Sequence, residues 1–237
     1  AEEAAKRAGS ALAARGANFS GVEASVGRDI KLKADKAAEA LIIETLSAGS
    51  DYPILSEETG WTAAEEDVCW VVDPLDGSAN YNRKIPFCCT SIALVKAGRP
   101  VVGVIYDFNH GDLYSGEVGT GASLNGAPMA VSKQPEKAQS ILFTGLPLNG
   151  DFSPEALGAM AAGFADWKKV RMMGTAATSL AMVSCGKAER YHEHGIMIWD
   201  VAAGCALIEA AGGRVVISEG PLDQPKTVTA DNGHLPI

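Results

Sequence analysis

No apolar run in the sequence is long enough to span a bilayer, and no signal-peptide pattern opens it. The expectation is a cytoplasmic protein with no membrane partner. Basic residues are scarce: 20 Lys and Arg stand against 29 Asp and Glu, a formal net charge of −9. That balance argues against a nucleic-acid backbone as partner. It leaves room for a phosphorylated small molecule, because bound cations invert the local sign. The five cysteines, Cys69, Cys88, Cys89, Cys185 and Cys205, are odd in number and lack any Cys-x-x-Cys spacing. Reduced, buried thiols fit that pattern better than a disulfide framework. The helical His-Glu-x-x-His of zinc proteases is also missing. His192-Glu193-His194 lies in a stretch that reads as strand, where the histidines share one face and Glu193 takes the other. Zinc is therefore disfavoured; Glu193 reads as a polar substrate contact and the histidines as solvent-facing or incidental. No repeat, low-complexity tract or convincing linker appears. One domain over residues 1–237 is expected, in two closely packed halves of about 1–135 and 136–237.

What is present is a core, with 47% apolar residues, and one unusual string. Residues 70–80 read Trp-Val-Val-Asp-Pro-Leu-Asp-Gly-Ser-Ala-Asn. Residues 68–72 look like a buried strand that stops at Asp73-Pro74, since Pro74 cannot donate to a ladder and holds Asp73 extended. Gly77 permits a turn that other residues resist. Asp73 and Asp76 then sit together at a strand's carboxyl end, with the Ser78 hydroxyl just beyond. Carboxylates this close repel unless a cation lies between them, and hard oxygen donors suit magnesium, manganese or calcium.

Around this string, helices are expected over 2–16 and 35–47, with a turn-rich connector at 16–27. A short strand at 53–55 runs into Ser56-Glu57-Glu58. Strands at 90–96, 101–107, 113–116 and 121–124 form a meander, and the Asn125-Gly126 turn leads into a strand at 130–132. The second half alternates: strand 140–144, helix 154–163, strand 169–172, helix from Gly174 to about Cys185, strand 190–193, helix 199–211, then strands 215–217 and 228–230. Glu57-Glu58, the Asp73/Asp76 pair and Asp200 are acidic sites at strand ends or helix starts, and together they suggest one metal-rich pocket. Gly174-Thr175-Ala176-Ala177, at a helix start, offers backbone N–H groups to an anion.

Taken in this order, the motifs resemble the inositol monophosphatase superfamily of magnesium-dependent phosphomonoesterases. Ser56-Glu57-Glu58 with residues 70–80 looks like its first signature; residues 199–204 through 209–213 look like its second. The resemblance implies a layered α/β fold, an α-β-α-β-α sandwich, usually a homodimer. It implies that Glu57, Asp73 and the Leu75 carbonyl hold one Mg2+, and that Asp73, Asp76 and Asp200 hold a second. Asp35 lies near a third, weaker ion and the Ser78 hydroxyl. Ser78 and Glu57 orient and deprotonate the attacking water; Gly77 and Ser78 amides bind phosphate. Gly174, Thr175 and Ala176 line the substrate side, and Glu193 bonds a substrate hydroxyl. Two or three Mg2+ ions are implied, with Mn2+ as a substitute and Ca2+ or Li+ as inhibitors. The expected activity is hydrolysis of a small polyol or sugar phosphate, with inositol 1-phosphate the first choice. Fructose 1,6-bisphosphate, histidinol phosphate and 3′-phosphoadenosine 5′-phosphate are alternatives, and a non-catalytic metal- or phosphate-binding member is the reading of another class. Ala34 departs from the pattern, standing where many members carry Thr or Ser.

Overall fold

A computed structural model describes residues 1–15, 22–26, 29–146 and 151–236. Helix α1 (Glu2–Ala14) precedes an antiparallel hairpin of β1 (Val22–Val26) and β2 (Asp29–Leu32), then α2 (Lys33–Ser47). Of the expected connector, residues 22–26 are strand, and residues 16–21 and 27 lie outside the described residues.

An eight-stranded sheet follows, built from β3 (Ile54–Ser56), β4 (Gly60–Trp61), β5 (Val68–Asp76), β6 (Cys89–Lys96), β7 (Arg99–Asp107), β8 (Asp112–Glu117), β9 (Gly121–Leu124) and β10 (Ala127–Met129). Its order is β10-β9-β8-β7-β6-β5-β3-β4, antiparallel except where β3 meets β5. A five-stranded sheet, β12-β11-β13-β15-β14, is assembled from β11 (Ile141–Phe143), β12 (Lys169–Arg171), β13 (Arg190–Ile196), β14 (Arg214–Ile217) and β15 (Lys226–Asp231). Strand β11 runs parallel to both neighbours, and β15 antiparallel to both of its own.

The period-two rule sorts the large sheet's residues between two cores. Ile54, Val72, Ile92 and Val104 face Ala8, Leu12, Ala38 and Ile42 of α1 and α2. Leu55, Val71, Ala93 and Ile105 face the other way, against α5 (Ala176–Ser184) and α6 (Ile198–Ala210). These two helices are apolar nearly all round because sheets enclose them on both sides, Tyr191, Val228 and Ala230 of the second sheet completing that core. Helix α6 lies so close to β7 that a Cβ on Gly103 would overlap the Ala203 carbonyl. Helix α4 (Pro154–Phe164) faces the outer surface of the second sheet across a cavity of about 890 Å³. The layers therefore alternate helix, sheet, helix, sheet, helix, the expected sandwich. No helix among the described residues is long and apolar enough to cross a membrane.

Several local expectations are corrected. Strand β5 does not stop before Pro74 but continues to Asp76, and its register with β6 shifts between Asp73 and Asp76. Such an irregularity is where a strand tolerates a residue with no N–H. Residues 78–83 form a short helix, α3 (Ser78–Arg83), that no apolar periodicity announced. The strand expected at 130–132 falls instead at β10: Asn125 and Gly126 both take positive φ, 52° and 80°, so pairing resumes at once with Ala127 opposite Leu124. All five cysteines are free thiols, buried apart from partly exposed Cys185.

Candidate metal centre

The site forms where the carboxyl end of β5 meets the amino ends of α5 and α6. Gly77 caps α3 with φ 85°, and a Cβ there would press on the Phe87 carbonyl. That turn places Asp73, Asp76 and Ser78 on one wall. Helix α6 contributes Asp200 at its third position, whose Oδ2 accepts from the Met197 amide at 3.3 Å. A carboxylate is favoured at that end of a helix.

Carboxylate oxygens of Asp73, Asp76 and Asp200 all lie within 4.8 Å of one another. Asp73 and Asp76 are 1% and 7% exposed; Asp200 is partly exposed as a residue while its carboxyl is enclosed. Burial, then repulsion from Glu57, Asp76 and Asp200, raises Asp73 well above the ordinary carboxylate range. Burial and the Glu57 and Asp76 charges do the same to Asp200. Asp76 rises only to about 6, because burial is opposed by donors from α5. The Ala177 amide gives it a hydrogen bond of 2.7 Å, and the Thr175 hydroxyl, itself the cap of α5, gives another.

A cavity of about 570 Å³ opens over this centre, bounded by Glu57, Asp73, Asp76, Ser78, Glu193 and Asp200 among others. No Lys, Arg or His is among the described residues that line it. Clustered anions without a cationic side chain and with hard oxygen donors suit a hard divalent cation, so the residues present fit magnesium or manganese. Calcium satisfies the same donor rule.

The sequence-derived residues are distributed as follows. Glu57, Asp73, Leu75, Asp76, Gly77, Ser78, Gly174, Thr175, Ala176, Glu193 and Asp200 all border the cavity. Asp35 is buried in the first turn of α2 and meets the site through Ser78, whose hydroxyl lies 3.4 Å from Asp35 Oδ1 and 3.1 Å from the Leu75 carbonyl. The start of α5 is not a vacant anion cradle throughout, since Asp76 takes the Ala177 amide.

Three contributions escaped the sequence reading. Tyr191 donates to Glu193 Oε2 at 2.6 Å, orienting that carboxylate, which burial raises above its usual range. Asn80 Nδ2 reaches the carbonyls of both Phe87 and Met173 at 2.8 Å, joining segments 93 residues apart beside the centre. Buried Glu39 accepts from the Thr59 amide and hydroxyl, 3.2 and 3.3 Å, fixing the turn that follows Glu57. Tyr191 was detectable as the residue two before Glu193 on one strand face, and Glu39 as the apolar-face acid four after Asp35. His194 is exposed and His192 partly exposed, as a solvent-facing pair should be; the two touch each other, and His110 Nδ1 lies 2.8 Å from Asp107 Oδ2.

Comparison with known proteins shows the family and the fold. A family model described as "Inositol monophosphatase family" matches residues 1–236. A Xylella fastidiosa protein named Nus factor SuhB is 39% identical over 81% of this chain and 70% of its own length. An inositol-1-monophosphatase of Synechocystis is 34% identical over 87% of this chain and 74% of its own. The solved inositol monophosphatase of Anabaena superposes with a TM-score of 0.83 at 34% identity, covering 99% of this chain and 89% of the other.

Proposed function

The chain belongs to the inositol monophosphatase family, and from that premise we propose that it is a Mg2+-dependent phosphomonoesterase acting on a small polyol or sugar phosphate. The observation that carries the reading is the buried carboxylate centre, opening onto a cavity that also holds Ser78 and Glu193 and has no cationic side chain among the described residues lining it. Glu57, Asp73, the Leu75 carbonyl, Asp76 and Asp200 would hold two or three ions. Bound there, the cations would neutralise the phosphate, lower the pKa of water and stabilise the departing alkoxide.

The chain's own groups supply the rest. Ser78 and Glu57 hold and orient the nucleophilic water, and Asp35 accepts the Ser78 hydroxyl so that its oxygen faces the cavity. The Gly77 and Ser78 amides receive the phosphate at the turn that opens α3. Gly174, Thr175 and Ala176 border the substrate side. Glu193, held by Tyr191, accepts from a substrate hydroxyl, which favours a polyol and makes inositol 1-phosphate the first choice. A homodimer in the cytoplasm, organised as one domain of two closely packed halves, completes the proposal.

The test is phosphate release with and without Mg2+ from inositol 1-phosphate, fructose 1,6-bisphosphate, histidinol phosphate and adenosine 3′,5′-bisphosphate. Asp76→Asn should fold normally and lose activity by about 100-fold or more. Activity that survives this change would remove Asp76 from the ligand set. Relatives named Nus factor support a second, non-catalytic reading in which the fold serves another macromolecule. Absence of release from every substrate with Mg2+ bound would favour it.

A further inference from the structure

Strand β13 carries a second constellation on the face opposite Tyr191 and Glu193. Its register with β15 sets His192 directly across from Thr229 and His194 across from Thr227. Each imidazole Nδ1 meets the facing hydroxyl, at 2.8 Å for His192 with Thr229 and 3.1 Å for His194 with Thr227. The rings stand nearly perpendicular, 87° apart, and their Nε2 atoms lie 3.1 Å from each other, within hydrogen-bond distance when one of them carries a proton.

When both hydroxyls accept from Nδ1–H, both Nε2 atoms carry lone pairs, and two lone pairs at this distance repel. An electrophile bonded to both removes the conflict. A separation of 3.1 Å accommodates two metal–nitrogen bonds of about 2.0–2.1 Å meeting at roughly a right angle. The threonines are outer partners of the kind that fix the tautomer and aim of a ligating histidine.

We propose that His192 and His194 form a two-imidazole clip for a transition-metal dication, distinct from the carboxylate centre. Neutral imidazole selects Cu2+, Ni2+ or Zn2+ over Mg2+, with Cu2+ bound most tightly. The near-right angle suits Cu2+ and Ni2+ in particular, and water fills the remaining positions. His194 is exposed, so the ion enters from solvent, while His192 borders the cavity beneath α4.

Copper titration of the magnesium-loaded protein, followed by electron paramagnetic resonance, tests the assignment. One equivalent of Cu2+ should give a spectrum with nitrogen hyperfine structure from two imidazoles. His192→Ala and His194→Ala should each abolish that pattern, and Asp76→Asn should leave it intact. Thr229→Val, which keeps the side chain's shape, should weaken Cu2+ about tenfold or more. His110 and His234 remain in all these variants. A two-nitrogen spectrum that survives in the His192/His194 double alanine variant would overturn the proposal, and so would a wild-type spectrum with oxygen ligands alone.

Discussion

At Asp76 the fold supplies an amide and a hydroxyl, yet burial still lifts the carboxyl from 3.8 to about 6. An acid raised in the folded state makes its full contribution to stability below its unfolded pKa and loses it as pH rises through the folded value. Asp73 and Asp200 shift in the same direction. With the metal stripped by EDTA, the melting temperature should therefore rise as pH falls from 8 to 5. Asp76 alone, displaced from 3.8 to about 6, weakens the metal-free fold by roughly 3 kcal/mol at neutral pH. Saturating Mg2+ should flatten the profile, because a cation that binds only the folded chain stabilises it by mass action. Calorimetry across that range, with and without Mg2+, checks both statements; a flat profile in EDTA would show that the carboxylates do not repel as placed.

Short elements carry the joints of this fold. Asn80, in α3, ties Met173 ahead of α5 to Phe87 ahead of β6. Asn80→Ala should cost about 1–3 kcal/mol through two stranded carbonyls, read as a lower urea midpoint, and should weaken Mg2+ binding by loosening the wall that bears Asp76. In the second sheet, buried Asp231 accepts from Arg190 at 2.7 Å and Arg214 at 2.8 Å, locking β13 to β15 and β14. Asp231→Asn should destabilise by about 2–3 kcal/mol in urea unfolding, less than a fully enclosed pair because Arg214 is partly exposed. The longer elements were legible in the sequence: α2, the β6–β9 meander and α6 each fell within about two residues of their observed limits, because periodicity over many residues outweighs local noise. Helix α3 was not, since six residues make less than two turns and show no repeating face. The continuation of β5 through Pro74 was hidden by a rule about proline that a register shift suspends. Acidic residues of the centre could be picked out because like charges crowd one motif. The His192–Thr229 partnership could not, since it depends on which strand lies alongside β13.

Over the whole molecule, the carboxylate centre draws on distant parts of the chain: β5 brings Asp73 and Asp76, and α6 brings Asp200. Asp73, Asp76 and the eight-stranded sheet leave the ribosome before α6, and domains tend to form as they are made. If α6 docks last, Asp73 and Asp76 stay hydrated until then and water screens their repulsion. Docking of α6 is thus the event that removes water from three like charges at once. Charge burial becomes part of a late kinetic barrier instead of a uniform tax on every stage. Stopped-flow refolding should reveal it: at pH 8 the slow phase should accelerate on adding Mg2+, and at pH 5.5 much of that acceleration should vanish as protons neutralise the carboxylates. Equal rates under all four conditions would place the desolvation after the rate-limiting step. Otherwise a cation bound by these carboxylates would also set the pace at which the two sheets close on them.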